Sequence, residues 1–308
     1  MRMLTAGDIV RATERWPVLV DAADRALEAL ATGACDAPVR TSLLLVEGQL
    51  LTMPGRLQNG DHAIVKLVSV VPGNAGRNLP TIQGLAMLFD AHTGEPVAQL
   101  EGAMLTAVRT AAVSAAAARR LSDGATETLA LLGAGAQAPW QTRALCSVLP
   151  IGKVRIWAPT AAHRERLAAQ LDAELQAEVR AVDEASEATR GAELICCATT
   201  APSAFLQADM LTAGRVLVVA VGAFRPDMAE VGVSVFAQAE RVFVDDVEAA
   251  FHEAGDVLAA IDAGELERGR VLPVGSVQSA PAERLTIFKS VGSAVEDAAV
   301  ASALWSQR

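Results

Sequence analysis

The segment Thr128-Leu-Ala-Leu-Leu-Gly133-Ala-Gly135-Ala-Gln137-Ala138 decides the fold class of this 308-residue chain. Five residues typical of a buried strand run into a Gly-x-Gly-x-x-Ala turn, and a helix-compatible segment follows. The first glycine permits a sharp turn, the second lets the backbone approach a phosphate, and the small third residue lets helix and strand pack closely. Free N–H groups at the helix start then face an anion. The segment predicts a dinucleotide site, although a tight strand-to-helix turn without a ligand would have the same pattern.

The composition indicates a compact globular protein. Apolar residues make up 52% of the chain and charged residues 20%, and the length predicts about two domains. The formal net charge of −10 argues against nucleic acid and anionic membranes as partners, because both attract clustered lysine and arginine. No apolar run is long enough to span a bilayer, and the first residues lack the apolar core of a signal peptide. We therefore expect a cytoplasmic protein.

Cysteine and histidine are too scattered to predict a metal centre or a disulfide framework. The four cysteines and four histidines show no spacing typical of metal ligands, so we expect no metal. Cys196 and Cys197 are adjacent in an apolar run, which predicts that they point to opposite faces of a buried strand.

From Glu127 onward, apolar runs alternate with helical segments, which is typical of a parallel sheet covered by helices on both faces. Right-handed crossovers would give a doubly wound α/β sheet of the Rossmann type, with its ligand at the carboxyl ends of the strands. The predicted strands are Thr128–Leu132, Val154–Trp157, Glu178–Val182, Leu194–Ala198, Val216–Val221 and Val242–Val244, with helices over Gln137–Val148 and Ala161–Ala173.

The first 120 residues predict a smaller α+β domain. An amphipathic helix is expected over Thr5–Ala31, with Thr5 or Asp8 as its cap and Gly33 as its stop. Short β-type runs separated by turns follow, and an alanine-rich helix over Met104–Leu121 should bridge the two domains. The expected strands are Ser42–Val46, Leu50–Met53, His62–Val71, Thr81–Phe89 and Glu95–Leu100.

Three cations stand out in this first domain. Lys66 interrupts an apolar strand, Arg109 interrupts an apolar helix, and Arg40 follows Pro38-Val39. An unpaired buried charge is costly, so each must reach solvent, pair with an acid or face a bound anion, and no acid lies near Lys66 or Arg109 in sequence. One interpretation is exposure at a strand edge or helix face. The other is a carboxylate clamp, in which arginine supplies a planar fork and a desolvated lysine exchanges a proton near neutral pH.

Taken together, these segments resemble the ornithine cyclodeaminase/mu-crystallin family over most of the chain. The resemblance rests on motifs spread over both predicted domains, and the last of them is long and specific. The motifs are Pro38-Val-Arg40, Met53-Pro54, Lys66-Leu-Val with Pro72-Gly-Asn74, Thr106-Ala-Val-Arg109-Thr110-Ala, Leu132-Gly-Ala-Gly-Ala-Gln-Ala138, Ala198-Thr-Thr200 with Pro202, Val221-Gly-Ala-Phe-Arg-Pro-Asp227-Met-Ala-Glu230 and Leu285-Thr-Ile-Phe-Lys-Ser-Val-Gly-Ser-Ala-Val-Glu-Asp297.

The resemblance implies a two-domain enzyme that uses NAD(P)H and dimerises through its N-terminal sheet. Residues 1–120 and 288–308 would form the substrate-binding and dimerisation domain, and residues 121–287 the dinucleotide-binding domain. Carried over by motif, Lys66 would be the proton donor or acceptor. The implied substrate-binding residues are Arg40, Met53, Lys66, Arg109 and Phe224, and the implied cofactor-binding residues are Thr110, Gly133, Gly135, Ala136, Gln137, Thr199, Val221, Lys289 and Gly292.

The residue two positions after Gly222 separates the branches of this family. Cyclodeaminases that the chain resembles have an aspartate there that activates the substrate amine, whereas this chain has Phe224, and Asp227 lies three residues further on. A phenyl ring cannot accept a proton, so the chain looks more like the ketimine reductases, which reduce Δ1-pyrroline-2-carboxylate or Δ1-piperideine-2-carboxylate to L-proline or L-pipecolate. The alternatives are an L-alanine dehydrogenase, a reductase of linear imines, an ornithine cyclodeaminase whose base comes from elsewhere, and a non-catalytic, crystallin-like binder of NADPH and small ligands.

The end of the second predicted strand of the larger domain bears on the choice of cofactor. An acid there would bind the ribose 2′-hydroxyl of NADH and repel the 2′-phosphate of NADPH. Ala158 is not acidic, and Thr160, His163 and Arg164 could hold the phosphate. We therefore expect NADPH rather than NADH, although family members that favour NADPH often carry arginine where Pro159 stands.

Overall fold

The computed structural model describes residues 1–38, 40–77, 79–212 and 214–307; Val39 of the Pro38–Arg40 motif thus lies outside the described residues. The chain forms two compact units, unit 1 (Met1–Ala112 with Ser293–Arg308) and unit 2 (Val113–Gly292). The boundaries differ from the expected 120/121 and 287/288. One long helix, Gly102–Leu121, belongs to both units, and residues 288–292 complete a strand and turn of unit 2.

Strands and helices are each numbered in the order in which they occur along the chain. The strands are β1 (Arg2–Leu4), β2 (Cys35–Asp36), β3 (Thr41–Leu45), β4 (Gly48–Leu57), β5 (His62–Val70), β6 (Ile82–Asp90), β7 (Pro96–Glu101), β8 (Thr128–Leu132), β9 (Lys153–Trp157), β10 (Glu178–Ala181), β11 (Leu194–Cys197), β12 (Val216–Ala220), β13 (Val242–Val244), β14 (Val271–Pro273) and β15 (Leu285–Lys289). The helices are α1 (Ala6–Ala12), α2 (Trp16–Thr32), α3 (Gly102–Leu121), α4 (Ala138–Val148), α5 (Ala161–Asp172), α6 (Ala185–Thr189), α7 (Val233–Gln238), α8 (Val247–Glu253), α9 (Gly255–Asp262) and α10 (Ala294–Ser306).

Unit 1 is a mixed sheet covered by helices. Its strands run in the order β1-β7-β6-β5-β4-β2, with β3 also paired to β4; β1 lies parallel to β7, and the other pairs are antiparallel. Alternate residues of β5, including Ile64, Lys66 and Val68, are buried, and α10 packs against β4, β5 and α2. A strand buries one face because successive side chains point to opposite sides. This face carries Lys66 into the core of unit 1.

The N-terminal helical segment is broken, whereas the sequence predicted one continuous helix over Thr5–Ala31. Thr5 caps α1 and shares a capping box with Asp8, as expected, but a short 3-10 turn over Thr13–Arg15 separates α1 from α2. Pro17 lies in the first turn of α2, where its missing N–H leaves no helical hydrogen bond unmade. Gly33 ends α2 in the left-handed conformation at φ +71°, as expected.

Unit 2 confirms the predicted doubly wound α/β sheet. Its strands are all parallel and run in the order β10-β9-β8-β11-β12-β15-β13-β14. The strand order reverses between β8 and β11, and in such sheets the ligand binds at the carboxyl ends on either side of that reversal. Cys196 and Cys197 of β11 are both fully buried, as predicted, and burial raises the pKa of each thiol. Of the helices within the described ranges, none combines the length and apolar character needed to cross a membrane.

Candidate functional site

The buried cation Lys66 is positioned by three neighbouring strands and one helix of unit 1. In the sheet register it lies opposite Met53 on β4 and Ala86 on β6, so two apolar neighbours flank its stem. Its Nζ forms an ion pair with Oδ2 of Asp297, which the first turn of α10 carries. Lys66 is 1% exposed and Asp297 fully buried, so solvent screens this pair little.

Arg109 joins the same buried cluster from α3. Its Nη1 donates to Oε2 of Glu296 at 2.8 Å, and its Nε lies 3.1 Å from Oδ1 of Asp297. Glu296 also accepts from the backbone N–H of Ser293, which closes a capping box at the start of α10. The carboxylate of Asp297 therefore bridges Lys66 and Arg109. We call Lys66, Arg109, Glu296 and Asp297 the buried ion quartet.

The pKa of Lys66 falls because of where the side chain lies. Burial lowers it from its ordinary value of 10.5 to about 8; Asp297 opposes that effect, and the charges of Arg109 and Arg40 add to it. Arg40 is half-buried immediately before β3. A lysine with such a pKa is largely protonated at pH 7 and exchanges its proton readily near that pH.

The acids of the buried ion quartet are residues that the sequence interpretation missed. That interpretation found no acid near Lys66 or Arg109 along the chain, whereas Glu296 pairs with Arg109 across 187 residues. The signal was present, because Glu296 and Asp297 are the only charged residues in the otherwise apolar segment 294–306. An isolated charge in an apolar segment indicated Lys66 and Arg109, because a buried unpaired charge is costly. The same reasoning applied to segment 294–306 would have indicated Glu296 and Asp297.

The approach of α10 to the sheet depends on Gly55 of β4. A Cβ added at Gly55 would lie 2.7 Å from Cβ of Ala294 and 2.9 Å from its carbonyl carbon, closer than real Cβ atoms pack. Ala294 is the first residue of α10, two positions before Glu296. Gly55 thus sets the distance at which the helix presents its acids to Lys66 and Arg109.

We expect Gly55→Ala to lower the free energy of unfolding by about 1–3 kcal/mol, because the added methyl must displace backbone rather than a flexible side chain. Urea denaturation measures the loss. Gly76→Ala is the matched control, since nothing lies within 4 Å of a Cβ there, and it should leave stability within about 0.5 kcal/mol. Equal stability of the two variants would show that α10 does not depend on close packing at Gly55.

The glycine-rich turn of unit 2 fits a dinucleotide pyrophosphate. Gly133 adopts φ +122°, and a Cβ there would lie 2.5 Å from the Ala198 carbonyl oxygen, so only glycine fits. By contrast, Gly135 is exposed, with nothing within 4 Å of an added Cβ. Ala136 is exposed too. The N–H groups of Ala138 and Trp140 at the start of α4 donate to the carbonyl oxygens of Gly135 and Gln137, so an anion would be met by the exposed turn rather than by the first turn of the helix.

A buried carboxylate, Glu230, holds the loops that follow β11 and β12. Its Oε1 accepts from the backbone N–H of Thr199 at 2.6 Å and from its hydroxyl at 2.9 Å; Oε2 accepts from the N–H groups of Gly222 and Ala223 at 2.7 and 3.2 Å. Burial raises the pKa of Glu230, while Lys289 and the Thr199 donors lower it. Thr199, a predicted cofactor-binding residue, is therefore held by Glu230. The sequence interpretation had given Glu230 no role.

Lys289 and Gly292 do not reach a surface in unit 2, contrary to the expectation that Lys289 touches the cofactor. Lys289 is fully buried, and its Nζ lies 3.2 Å from Oδ1 of Asp256, whose other oxygen accepts from the N–H groups of Glu230 and Val231. The Gly292 N–H donates to Asp245 at 2.8 Å. These residues support the loops rather than line them.

Arg164 also has a different task from the one expected. Its Nη1 donates to the carbonyl oxygen of Ala158 at 3.1 Å, its Nη2 pairs with Asp183, and the guanidinium is largely buried. Thr160 is exposed and does not cap α5 with its side chain. Arg164 therefore connects the residue after β9 to the segment after β10, and its guanidinium is already engaged by these two partners rather than by a phosphate.

The structure places the remaining predicted residues as follows. Val221 is buried at the end of β12, and Phe224 is half-buried in the loop after it. Asp227 pairs with Arg225 through both carboxylate oxygens, at 2.9 and 2.8 Å. In unit 1, the hydroxyl of Thr110 donates to the Thr106 carbonyl of its own helix. Among the described residues, no group of three or more histidines, cysteines or acids could hold a metal ion.

Comparison with known proteins agrees with these features. A Δ1-pyrroline-2-carboxylate reductase of Bacillus cereus is 34% identical over 277 residues, covering 87% of this chain and 85% of the relative. The ketimine reductase mu-crystallin of Rattus norvegicus is 34% identical over 270 residues, covering 87% and 84%.

One solved structure, that of Thermococcus litoralis Δ1-pyrroline-2-carboxylate reductase in complex with NADH and L-proline, superposes with a TM-score of 0.92 at 27% identity, over 100% of this chain and 97% of the other. The family model for ornithine cyclodeaminase/mu-crystallin matches residues 2–307. The chain therefore belongs to the ornithine cyclodeaminase/mu-crystallin family.

Proposed function

We propose that this protein is an NAD(P)H-dependent reductase that converts a cyclic ketimine, Δ1-pyrroline-2-carboxylate or Δ1-piperideine-2-carboxylate, into L-proline or L-pipecolate. The observation that carries the proposal is the likeness, over the whole chain, to a reductase solved with NADH and L-proline. Unit 2 supplies a turn that fits a dinucleotide, and unit 1 supplies buried cations suited to a small carboxylate.

Reduction of the C=N bond adds a hydride to carbon and a proton to nitrogen. A reduced nicotinamide supplies the hydride when it is bound. Lys66 donates the proton, because an ammonium with a pKa of about 8 holds its proton at neutral pH and releases it readily. Arg40 and Arg109 attract the substrate carboxylate, and Phe224 offers the ring methylenes an apolar wall.

The test is a steady-state substrate panel with both reduced cofactors. We expect kcat/KM to be highest for a cyclic ketimine, and lower for pyruvate with ammonia or for a linear imine. Faster turnover of pyruvate would make the protein an alanine dehydrogenase. Tight NADPH binding without turnover of any imine would make it a binding protein of the crystallin type.

Cyclodeamination of ornithine is disfavoured because the acids that could replace the missing base are engaged in ion pairs. Asp227, nearest in sequence to the position of the missing base, is held by Arg225. Glu296 and Asp297 are paired within the buried ion quartet. We expect no ammonia release from L-ornithine with NAD+, and sustained release would overturn this part of the proposal.

Of the two cofactors, we propose that NADH is bound more tightly. The sequence expectation of NADPH rested on a non-acidic Ala158 and on Thr160, His163 and Arg164 as possible phosphate ligands. The guanidinium of Arg164 is instead engaged by Ala158 and Asp183, and the carboxylate of Asp183 is 87% exposed. The exposed carboxylate of Asp183 would repel the 2′-phosphate of NADPH. It also neutralises the charge of Arg164, which would otherwise attract that phosphate.

We expect Asp183→Asn to raise NADPH affinity about 5- to 10-fold relative to NADH, because the variant returns one positive charge to Arg164. Quenching of protein fluorescence gives both dissociation constants without any turnover. Asp172→Asn, at the last residue of α5, is the control and should leave the ratio unchanged, because an asparagine oxygen can still accept from the Val179 N–H. A wild-type preference for NADPH that Asp183→Asn does not alter would contradict the assignment.

We further propose that unit 1 forms a homodimer through the apolar outer face of its sheet. An antiparallel sheet that faces water usually carries polar residues there. In this chain the edge strand β3 exposes Leu43, which is paired with Leu50 of β4 and therefore lies on the same face as Leu67. Leu67, Leu85 and Met87 are half-buried on the face that points away from α10.

Leu43→Asp is expected to shift the protein from dimer to monomer, because a buried, unpaired carboxylate at an interface costs several kcal/mol. Light scattering after size exclusion measures the mass. Val10→Asp, at an exposed position of α1, is the control and should leave the mass unchanged. A wild-type monomer would overturn the proposed dimer.

A further inference from the structure

We infer that Asp297 is a positioning residue for the proposed reduction: it holds the ammonium group of Lys66 in the orientation from which the proton is donated. The inference rests on the proposed function, in which Lys66 is the donor. It makes α10, and not only the strand that carries Lys66, part of the proton-donating machinery. The two acids of α10 then have different tasks, since Glu296 contacts Arg109 and not Lys66 in the ion pairs described above.

The geometry gives Asp297 a fixed orientation. One carboxylate oxygen contacts Nζ of Lys66, and the other lies 3.1 Å from Nε of Arg109. Arg109 is in turn held at Nη1 by Glu296. Asp297 therefore cannot rotate away from Lys66 without also leaving Arg109. A flexible lysine side chain anchored in this way loses its choice of rotamers, which preorganises it for one proton transfer.

The charges around Lys66 make Asp297 decisive for its protonation. From α10 the lysine faces Asp297, with Glu296 behind Arg109; from α3 it faces Arg109, and from the segment before β3 it faces Arg40. Its strand neighbours, Met53 and Ala86, carry no charge. Burial and both arginines disfavour the ammonium form, and the carboxylate of Asp297 favours it. Without Asp297, the lysine would lose its proton at a lower pH.

The kinetic test is the pH dependence of kcat for Asp297→Asn. Loss of a contacting opposite charge lowers the pKa of a buried lysine by at least about one unit. The ratio of wild-type to variant rate should therefore grow about fivefold between pH 6 and pH 8, as protonated Lys66 is depleted in the variant first. A purely structural defect would lower the rate by the same factor at every pH.

Two matched variants separate charge from position. Glu296→Gln removes an equal charge from the neighbouring position of α10, but one that contacts Arg109; it should raise KM and leave the basic limb of the profile in place. Asp297→Glu keeps the charge and moves it by one methylene, so it should keep the wild-type basic limb and lower kcat. An unchanged kcat in Asp297→Glu would overturn the positioning role.

A second readout needs neither cofactor nor substrate. The chain contains three lysines, Lys66, Lys153 and Lys289, so protein labelled at the lysine ε-carbon gives three NMR signals. Lys66, assigned through Lys66→Met, should titrate near 8 in the wild type and lower in Asp297→Asn, with exposed Lys153 as the internal reference. If both the titration and the kinetic limb are the same in Asp297→Asn and wild type, the inference is wrong.

The two hypotheses fail in different ways. If the wild type reduces no cyclic ketimine with either cofactor, the proposed function fails and the inference, which depends on it, fails with it. If the wild type is active but Asp297→Asn keeps its pH profile, only the inference fails. Should Asp297→Asn not fold, Asp297→Glu still tests the positioning role through its kcat.

Discussion

Lys66→Met is expected to lower kcat for the cyclic ketimine by roughly 10²- to 10⁴-fold, the usual contribution of a positioned general acid. Methionine is close to the length of the lysine stem and places an apolar side chain opposite Met53 in the sheet register, but it cannot donate a proton. Asp297 remains close to Arg109 in this variant, so its carboxylate is not left without a cation. The dissociation constant of NADH should stay within about twofold, because the dinucleotide turn lies in unit 2.

The control for this variant is the surface lysine of unit 2. Lys153→Met removes the same charge at a side chain that is 56% exposed, and kcat should be unchanged. Single-turnover rates at saturating cofactor would separate proton donation from product release. A kcat for Lys66→Met within threefold of the wild type would remove Lys66 from the chemistry.

Glu230→Ala should cause the largest loss of stability among the variants considered. The substitution leaves four donors without their acceptor: two from half-buried Thr199, one from half-buried Gly222 and one from buried Ala223. An unsatisfied buried donor costs about 1–3 kcal/mol, so we expect the free energy of unfolding to fall by at least about 3 kcal/mol even if water enters. Loosening of the loops after β11 and β12 should also weaken NADH binding.

Calorimetry and a cofactor titration measure these two effects. Glu230→Gln should have an intermediate effect, because one oxygen still accepts from Thr199 while the new NH2 group meets the N–H groups of Gly222 and Ala223. Glu240→Ala, at an exposed side chain, is the control and should change stability by less than about 0.5 kcal/mol. Wild-type stability in Glu230→Ala would show that other acceptors replace the carboxylate.

The fold was largely predictable because its signals are local. Strand β8 has the predicted bounds Thr128–Leu132, since a β-branched threonine and four apolar residues before a glycine turn strongly favour a buried strand. The predicted helix over Thr5–Ala31 was wrong at its centre, because apolar periodicity does not register the break before Pro17. Strands β14 and β15 were not predicted as strands, and β15 takes its place between β12 and β13 through pairing distant in sequence.

The sequence predicted the buried cations of the candidate site but not the acids that pair with them. Isolated charges in apolar segments marked Lys66 and Arg109, because burial of an unpaired charge is costly. Which acids pair with them depends on where α10 packs, and no local pattern contains that information. Arg164 shows the same limit, since its proximity to Thr160 in sequence suggested a phosphate ligand, whereas Asp183, 19 residues later, engages it.

The discontinuity of unit 1 has a consequence for synthesis on the ribosome. Residues 1–112 emerge first, yet the helix that neutralises Lys66 and Arg109 emerges only after all of unit 2 has been made. Until then, the nascent first segment carries two positive charges that its own core cannot accept. We expect unit 2 to acquire protease resistance before unit 1, so that maturation of this protein runs from the middle of the chain outward.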